Sequence, residues 1–257
     1  MIRSLSLIAA GLSVFFAVEA SAADKVFPSS QTAVAISSSV SDFGLLPSSS
    51  PLTVESIIAN LSRVESKIKT LSAHFNQTIL IRDAGITQNV SGSLKYERGS
   101  LFHIEQKMPE KQTVVSDGNS IWIWRPSRKE AIEMDIAYWA KTQPFARGLL
   151  DFGHYASMLK NYKIKIIHNS LAPKAQSGYR NIELLLTPKA ASEKFSLRLF
   201  FNTRDFFPVE SDFYQKGVVV RSHFSDIVYN ITFSSAEFHF KMPPGTQVFD
   251  ERDRKAN

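Results

Sequence analysis

Residues 92–124, GSLKYERGSLFHIEQKMPEKQTVVSDGNSIWIW, decide the fold of this chain. Turn chemistry cuts the stretch into three or four short strands, at Glu97–Ser100, Met108–Glu110 and Asp117–Asn119. Proline fixes its own φ, and Gly and Asn accept φ > 0, so Met-Pro-Glu and Ser-Asp-Gly-Asn both predict chain reversals. Period-2 alternation puts Leu94, Tyr96 and Arg98 on one face, Phe102 and Ile104 on one, and Trp122 and Trp124 on one. Arg98 is a cation on a mostly apolar face, which makes it the first candidate functional residue.

Upstream, a helix is expected from about Thr53 to Leu71. Thr53 can cap it, Glu55 suits the positive end of the helix dipole, and Val54, Ile57, Ile58, Leu61, Val64, Ile68 and Leu71 form its apolar stripe. Strands should follow over His74–Ile81 and Gln88–Glu97. Downstream, a strand over Ala131–Ile136 would direct Ile132, Met134 and Ile136 one way. A second helix, Pro144–Asn161, would set Phe145 and Leu149 along one side. Gly148 and Gly153 weaken it by about 1 kcal/mol each relative to alanine. The remainder reads as serial strands: Tyr162–His168, Tyr179–Thr187, Lys194–Asn202, Phe207–Gln215, Gly217–Ile227 and Glu237–Met242.

About ten or eleven antiparallel strands and two substantial helices are therefore expected, a mainly β fold with α, and such an array closes or nearly closes into a barrel to protect its edges. About eight strands are already filled by side chains, so about eleven leave interior volume for a helix, a plug or a ligand. The expected inward side chains include Leu94, Ile104, Val115, Trp122, Trp124 and Met134, with the 144–161 helix over one mouth. A lidded apolar cavity suits greasy ligands; helices filling the barrel as an ordinary core is the competing interpretation.

The N-terminus predicts export. Arg3 precedes an uncharged apolar run, Leu5–Val18, and Ala20-Ser21-Ala22 offers a cleavage site, so 1–22 reads as a signal peptide. Residues 23–51 read as a Ser-rich flexible leader and 52–257 as the barrel domain. The chain has 257 residues, no cysteine and a net charge of +6. Disulfides and thiolate metal sites are thus excluded, and the basic residues are too scattered to predict nucleic-acid binding. The six histidines lie on separate elements without ligand spacing, and no nucleophile elbow, phosphate loop or dinucleotide fingerprint occurs. No catalytic residue, metal site or cofactor is expected, and the chain is not read as an enzyme.

Four blocks together resemble the outer-membrane lipoprotein carrier protein family, LolA, over about residues 53–252. They are HFNQT at 74–78, the Leu94–Trp124 block, TQPF at 142–145, and LTPK at 186–189 with FHFKMPPGTQVFD at 238–250. The resemblance implies an incomplete, open antiparallel β-barrel of about 11 strands with a helical lid over a hydrophobic cavity, in a periplasmic, monomeric carrier. Such a carrier accepts acylated lipoproteins from an inner-membrane ABC transporter and passes them to the outer-membrane receptor LolB. It implies that Arg98 is the arginine that latches the lid and that Phe102 lies near the cavity mouth. Leu94, Phe102, Ile104, Val115, Trp122, Trp124, Met134, Phe145 and Leu149 are the acyl-binding residues that this reading expects. The sequence departs from the family pattern at Gly99, where proline is usual, and at His103, where many members carry arginine. A related barrel that binds or senses another lipid or acylated ligand is the alternative.

Overall fold

A computed structural model describes residues 52–142, 155–171, 180–190 and 194–252. The expected signal peptide and leader, Phe145, Leu149 and most of the expected second helix lie outside the described residues.

The chain enters through helix α1, Val54–Lys67. Thr53 caps it: the Ser56 amide donates to Thr53 Oγ1 (3.2 Å) and the Thr53 amide donates to Ser56 Oγ (3.0 Å). Two of the donors that a helix start leaves unpaired are satisfied in this way. The helix stops earlier than its apolar stripe suggests. Ile68 is already extended, and from Leu71 burial alternates through Ala73, Phe75, Gln77 and Ile79. Ile68 and Leu71 fit a period of 3.6 as an end to α1 and a period of 2 as an approach to a strand, and the strand prevails.

Twelve strands follow among the described residues: β1 Thr70–Ile81, β2 Ile86–Glu97, β3 Leu101–Met108, β4 Gln112–Asp117, β5 Ser120–Arg125, β6 Glu130–Asp135, β7 Tyr162–Leu171, β8 Arg180–Pro188, β9 Ser196–Asn202, β10 Glu210–Gln215, β11 Val218–Tyr229 and β12 Gln247–Asp250. Short helices α2, Ile136–Thr142, and α3, Tyr155–Leu159, lie between β6 and β7. One sheet contains all twelve strands, in the order β12-β6-β5-β4-β3-β2-β1-β11-β10-β9-β8-β7. Every pairing is antiparallel except β12 with β6. The sheet is an open, incomplete barrel, ending at β12 on one side and β7 on the other.

Strand register separates an inner face from an outer one. Leu94 pairs with Ile104, Ile104 with Val114, Val114 with Ile123 and Ile123 with Ile132. The first four join one apolar cluster with Ile57, Leu61 and Val64 of α1 and with Leu184, Leu197 and Phe213 from the other half of the sheet, and Ile132 packs against it. Helix α1 thus lies against the inner face and shares its core.

The C-terminal region corrects one expectation. Residues 237–242 form no strand; a 3-10 turn over Ser235–Phe238 lies there instead, and the last strand is β12. The segment is a strap on the outer face of the sheet. Lys95 donates to Glu237 Oε2 at 2.6 Å, His103 Nδ1 lies 2.9 Å from the Glu237 carbonyl oxygen, and Phe240 stacks on Trp122 at 5.2 Å. The Glu237 carboxyl titrates below the ordinary glutamate range, first because Lys95 donates a hydrogen bond to it, with partial desolvation opposing. A depressed folded-state value stabilises the strap above the unfolded value and loses that contribution as pH falls through the folded one. Amide exchange in the strap is therefore expected to quicken as pH drops below about 4.3, after correction for intrinsic exchange. Glu237→Gln should abolish that pH dependence; an identical profile in the variant would refute the linkage.

Candidate functional site: the inner face and its helices

The inner face is the candidate binding surface. Leu94, Phe102, Ile104 and Met134 project from β2, β3 and β6 and are 1–3% exposed, all within the apolar cluster. Trp139 of α2 lies over Phe102, with ring centroids 5.8 Å apart. Tyr155, at the start of α3, meets Phe207 edge-on at 5.9 Å, and Phe207 meets Tyr229 at 5.6 Å. Burial pushes the Tyr229 phenol well above its ordinary range, so it stays neutral.

Three of the expected cavity residues are on the other side. Val115 pairs with His103 and with Trp122, and Trp122 with Glu133, a row that faces the strap. Trp122 and Trp124 both pack against Phe240, at 5.2 and 6.5 Å. Their inward neighbours are Ile121 and Ile123, each fully buried in the core cluster. The Ile-Trp-Ile-Trp sequence is apolar on both faces, because each face is covered. Trp122 and Trp124 are therefore corrected from cavity lining to strap contacts, and Val115 to the outer face that they share.

Arg98 sits in the hairpin between β2 and β3. Its amide donates to the Lys69 carbonyl (2.9 Å), and its Nη2 donates to the carbonyl oxygens of Glu65 (2.7 Å) and Ile68 (2.8 Å). These acceptors belong to the last turn of α1 and the residue that ends it. A guanidinium there adds charged donors to carbonyls at the helix C-terminus, that of Glu65 also accepting the Ile68 amide, and interacts favourably with the helix dipole. Gly99 follows with φ +105°, a conformation that proline, held near −65°, does not adopt. Glycine therefore permits this turn, and the amide bond to Lys69 holds Arg98 in it.

Glu65 completes the arrangement, and sequence reasoning missed it. It is 4% exposed, and its carboxylate accepts from the amides of Tyr155 and Ala156, the first residues of α3. A signal existed: Glu65 follows Leu61 by four residues, placing an acid on the buried stripe of α1. From the β2–β3 hairpin to α1 and on to α3, the two helices are linked to the sheet rim by backbone-directed polar contacts. A groove of about 550 Å³ runs alongside this contact, lined in part by Ile58, Ser62, Ala156 and Lys160.

Other titratable groups form scattered pairs. His74 lies 3.1 Å from Asp226, His223 lies 3.2 Å from Glu210, and Arg204 binds Asp205, all at the surface. Among the described residues, no three His, Cys, Asp or Glu side chains gather as a metal site, and no helix is long and apolar enough to cross a membrane.

Known proteins place this architecture. An outer-membrane lipoprotein carrier protein of Hahella chejuensis (strain KCTC 2396) is 27% identical over 207 residues, covering 78% of this chain and 94% of its own. One from Azotobacter vinelandii (strain DJ / ATCC BAA-1303) is 28% identical over 201 residues, covering 77% and 89%. The crystal structure of an uncharacterized conserved protein from Thermus thermophilus superposes with a TM-score of 0.51 at 10% identity, covering 77% of this chain and all of its own, which supports the fold. The family model for the outer membrane lipoprotein carrier protein LolA matches residues 66–241, from the end of α1 through the strap, and the chain belongs to that family.

Proposed function

We propose that this protein is a periplasmic, monomeric carrier. It shields the acyl chains of lipoproteins released by an inner-membrane ABC transporter and delivers them to an outer-membrane receptor such as LolB. The observation that carries this reading is the inner face itself: Leu94, Phe102, Ile104 and Met134 line an open sheet and are covered by helices. Family membership supports it.

The physical demand is large. Exposing acyl chains to water costs about 0.8 kcal/mol per methylene, on the order of tens of kcal/mol for a triacylated N-terminus. With α1 and α3 seated, the inner residues are already packed, so acyl chains enter by displacing helices. Arg98 is the lid latch in this mechanism. Its bonds to the end of α1 favour the closed form, and the work of breaking them is subtracted from ligand affinity. Weak net retention suits a carrier that must surrender its cargo; an energised donor loads it and a better acceptor empties it.

The test is release of lipoproteins from inner-membrane vesicles that contain a competent, energised transporter. A soluble complex with this protein is expected, and none forming would sink the carrier reading. Arg98→Leu should retain ligand about tenfold more tightly, from the loss of roughly 1.5 kcal/mol of charge-assisted hydrogen bonding in the closed form, and should impair hand-off. Unchanged transfer would reduce Arg98 to a structural cap.

A further inference from the structure

A polar band crosses the inner face midway along its strands. In the row Leu184–Leu199–Ser211–Ser222–Gln77–Val90, each residue pairs with the next across β8, β9, β10, β11, β1 and β2. The three central members are polar, and Ser211, Ser222 and Gln77 are 2%, 5% and 3% exposed. Their inner-face neighbours along the strands, Phe213, Val220, Phe224, Phe75 and Ile79, are all apolar core residues. Hydroxyl groups at such positions cost free energy unless hydrogen-bonded.

The band is only partly satisfied from within. Gln77 Nε2 donates to Ser222 Oγ at 2.9 Å, which leaves the Ser222 hydroxyl proton for another acceptor. Ser211 Oγ, beside Ser222 across the β10–β11 pair, is buried and has no hydrogen-bond partner among the described residues. Two adjacent hydroxyl donors therefore lie on the inner face, the side of the sheet that the proposed cargo would meet once the helices are displaced. A hydrocarbon tail offers nothing to them, whereas an ester carbonyl at the head of an acyl chain offers the missing acceptor.

We propose that Ser211 and Ser222 form a binding subsite for the ester carbonyl of a bound acylglyceryl group, fixing how deeply its chains enter the barrel. The subsite rests on the acyl-carrier reading and deepens it. Carbonyl recognition supplies directionality that apolar burial lacks, because dispersion and hydrophobic contacts leave a chain free to slide along its length.

The experiment compares two probes on the mature protein: an ester-linked dipalmitoylglyceryl fluorophore and its ether-linked dialkyl counterpart of equal chain length. Wild type should bind the ester at least about fivefold more tightly, the worth of one neutral hydrogen bond. Ser211→Ala should shrink that ratio by weakening ester binding more than ether binding. Equal binding of both probes by wild type would overturn the subsite and leave the carrier reading standing. Binding of neither would overturn both. In the unliganded protein, Ser211→Ala should match or exceed the wild-type urea midpoint, since it removes an unpaired buried hydroxyl. A lowered midpoint would show that the hydroxyl serves the free fold and would also overturn the proposal.

Discussion

Glu65→Ala is expected to free α3 from α1 and to destabilise the closed form by about 3 kcal/mol. The Glu65 carboxylate accepts both the Tyr155 and the Ala156 amide, and all three residues are buried. Removing it abolishes two charge-assisted bonds and leaves two amide donors in surroundings built by Tyr155, Phe207 and Leu159. Hydrogen exchange at Tyr155 and Ala156 should therefore accelerate by about two orders of magnitude, because those amides would exchange through local opening. Glu65→Gln keeps one carbonyl acceptor and should fall between the two. Arg98→Leu supplies the contrast: it frees the end of α1 but leaves the Glu65 carboxylate on α3, so exchange at these amides should change less. Equal protection in wild type and Glu65→Ala would show that packing alone seats α3. In a carrier the same substitution should tighten acyl binding for the reason given for Arg98, since the work of opening is already done.

The residues of this latch also show what was legible in the sequence. Arg98 stood out because a cation on an apolar strand face needs an explanation, and the structure provides α1 carbonyls as its acceptors. Thr53 was legible as a cap because the geometry is local, within three residues. The hairpins of β2 to β5 were legible because Gly99 and Gly118 carry their turn conformations within the turns themselves, at φ +105° and +91°. Long-range coverage was not. Alternation told that Trp122 and Trp124 share a face, but the side of the sheet depends on a strap more than a hundred residues later in the chain. The parallel strand β12 was hidden for a similar reason: its residues are all exposed, so no buried alternation announces it. Ser211 and Ser222 were invisible for the opposite reason, since serine in a strand ordinarily marks the solvent side, and only the register reveals that these point inward.

The largest effect on the fold is expected from a single methyl group at Gly92. This glycine is buried on the inner face of β2, where it pairs with Phe75 of β1 and with Gln106 of β3 beside a register shift. A Cβ there would lie 2.2 Å from the Glu105 carbonyl oxygen and 2.7 Å from the Phe75 ring. The ring can rotate, but the carbonyl belongs to the β2–β3 ladder and moves only if the strands part. Aromatic cover of a strand glycine is a known way of filling the space that the missing side chain leaves, and Phe75 fills it. Gly92→Ala should therefore cost about 3 kcal/mol or more, at or beyond the upper end of ordinary overpacking. Phe75→Leu in the same chain should recover little of that loss, because the carbonyl clash remains; recovery of most of it would show that the ring was the obstacle. The comparison to make is by urea midpoint, with Gly85→Ala as reference, since a Cβ at Gly85 meets nothing within 4 Å and suffers only its positive φ. The consequence reaches the site: the β2–β3 pair carries Leu94, Phe102 and Ile104 on its inner face and Arg98 at its tip. Parting these strands would spoil the proposed acyl-binding surface and the aim of Arg98 together, so Gly92→Ala should lose acyl-ligand binding even where enough folded protein remains to measure it.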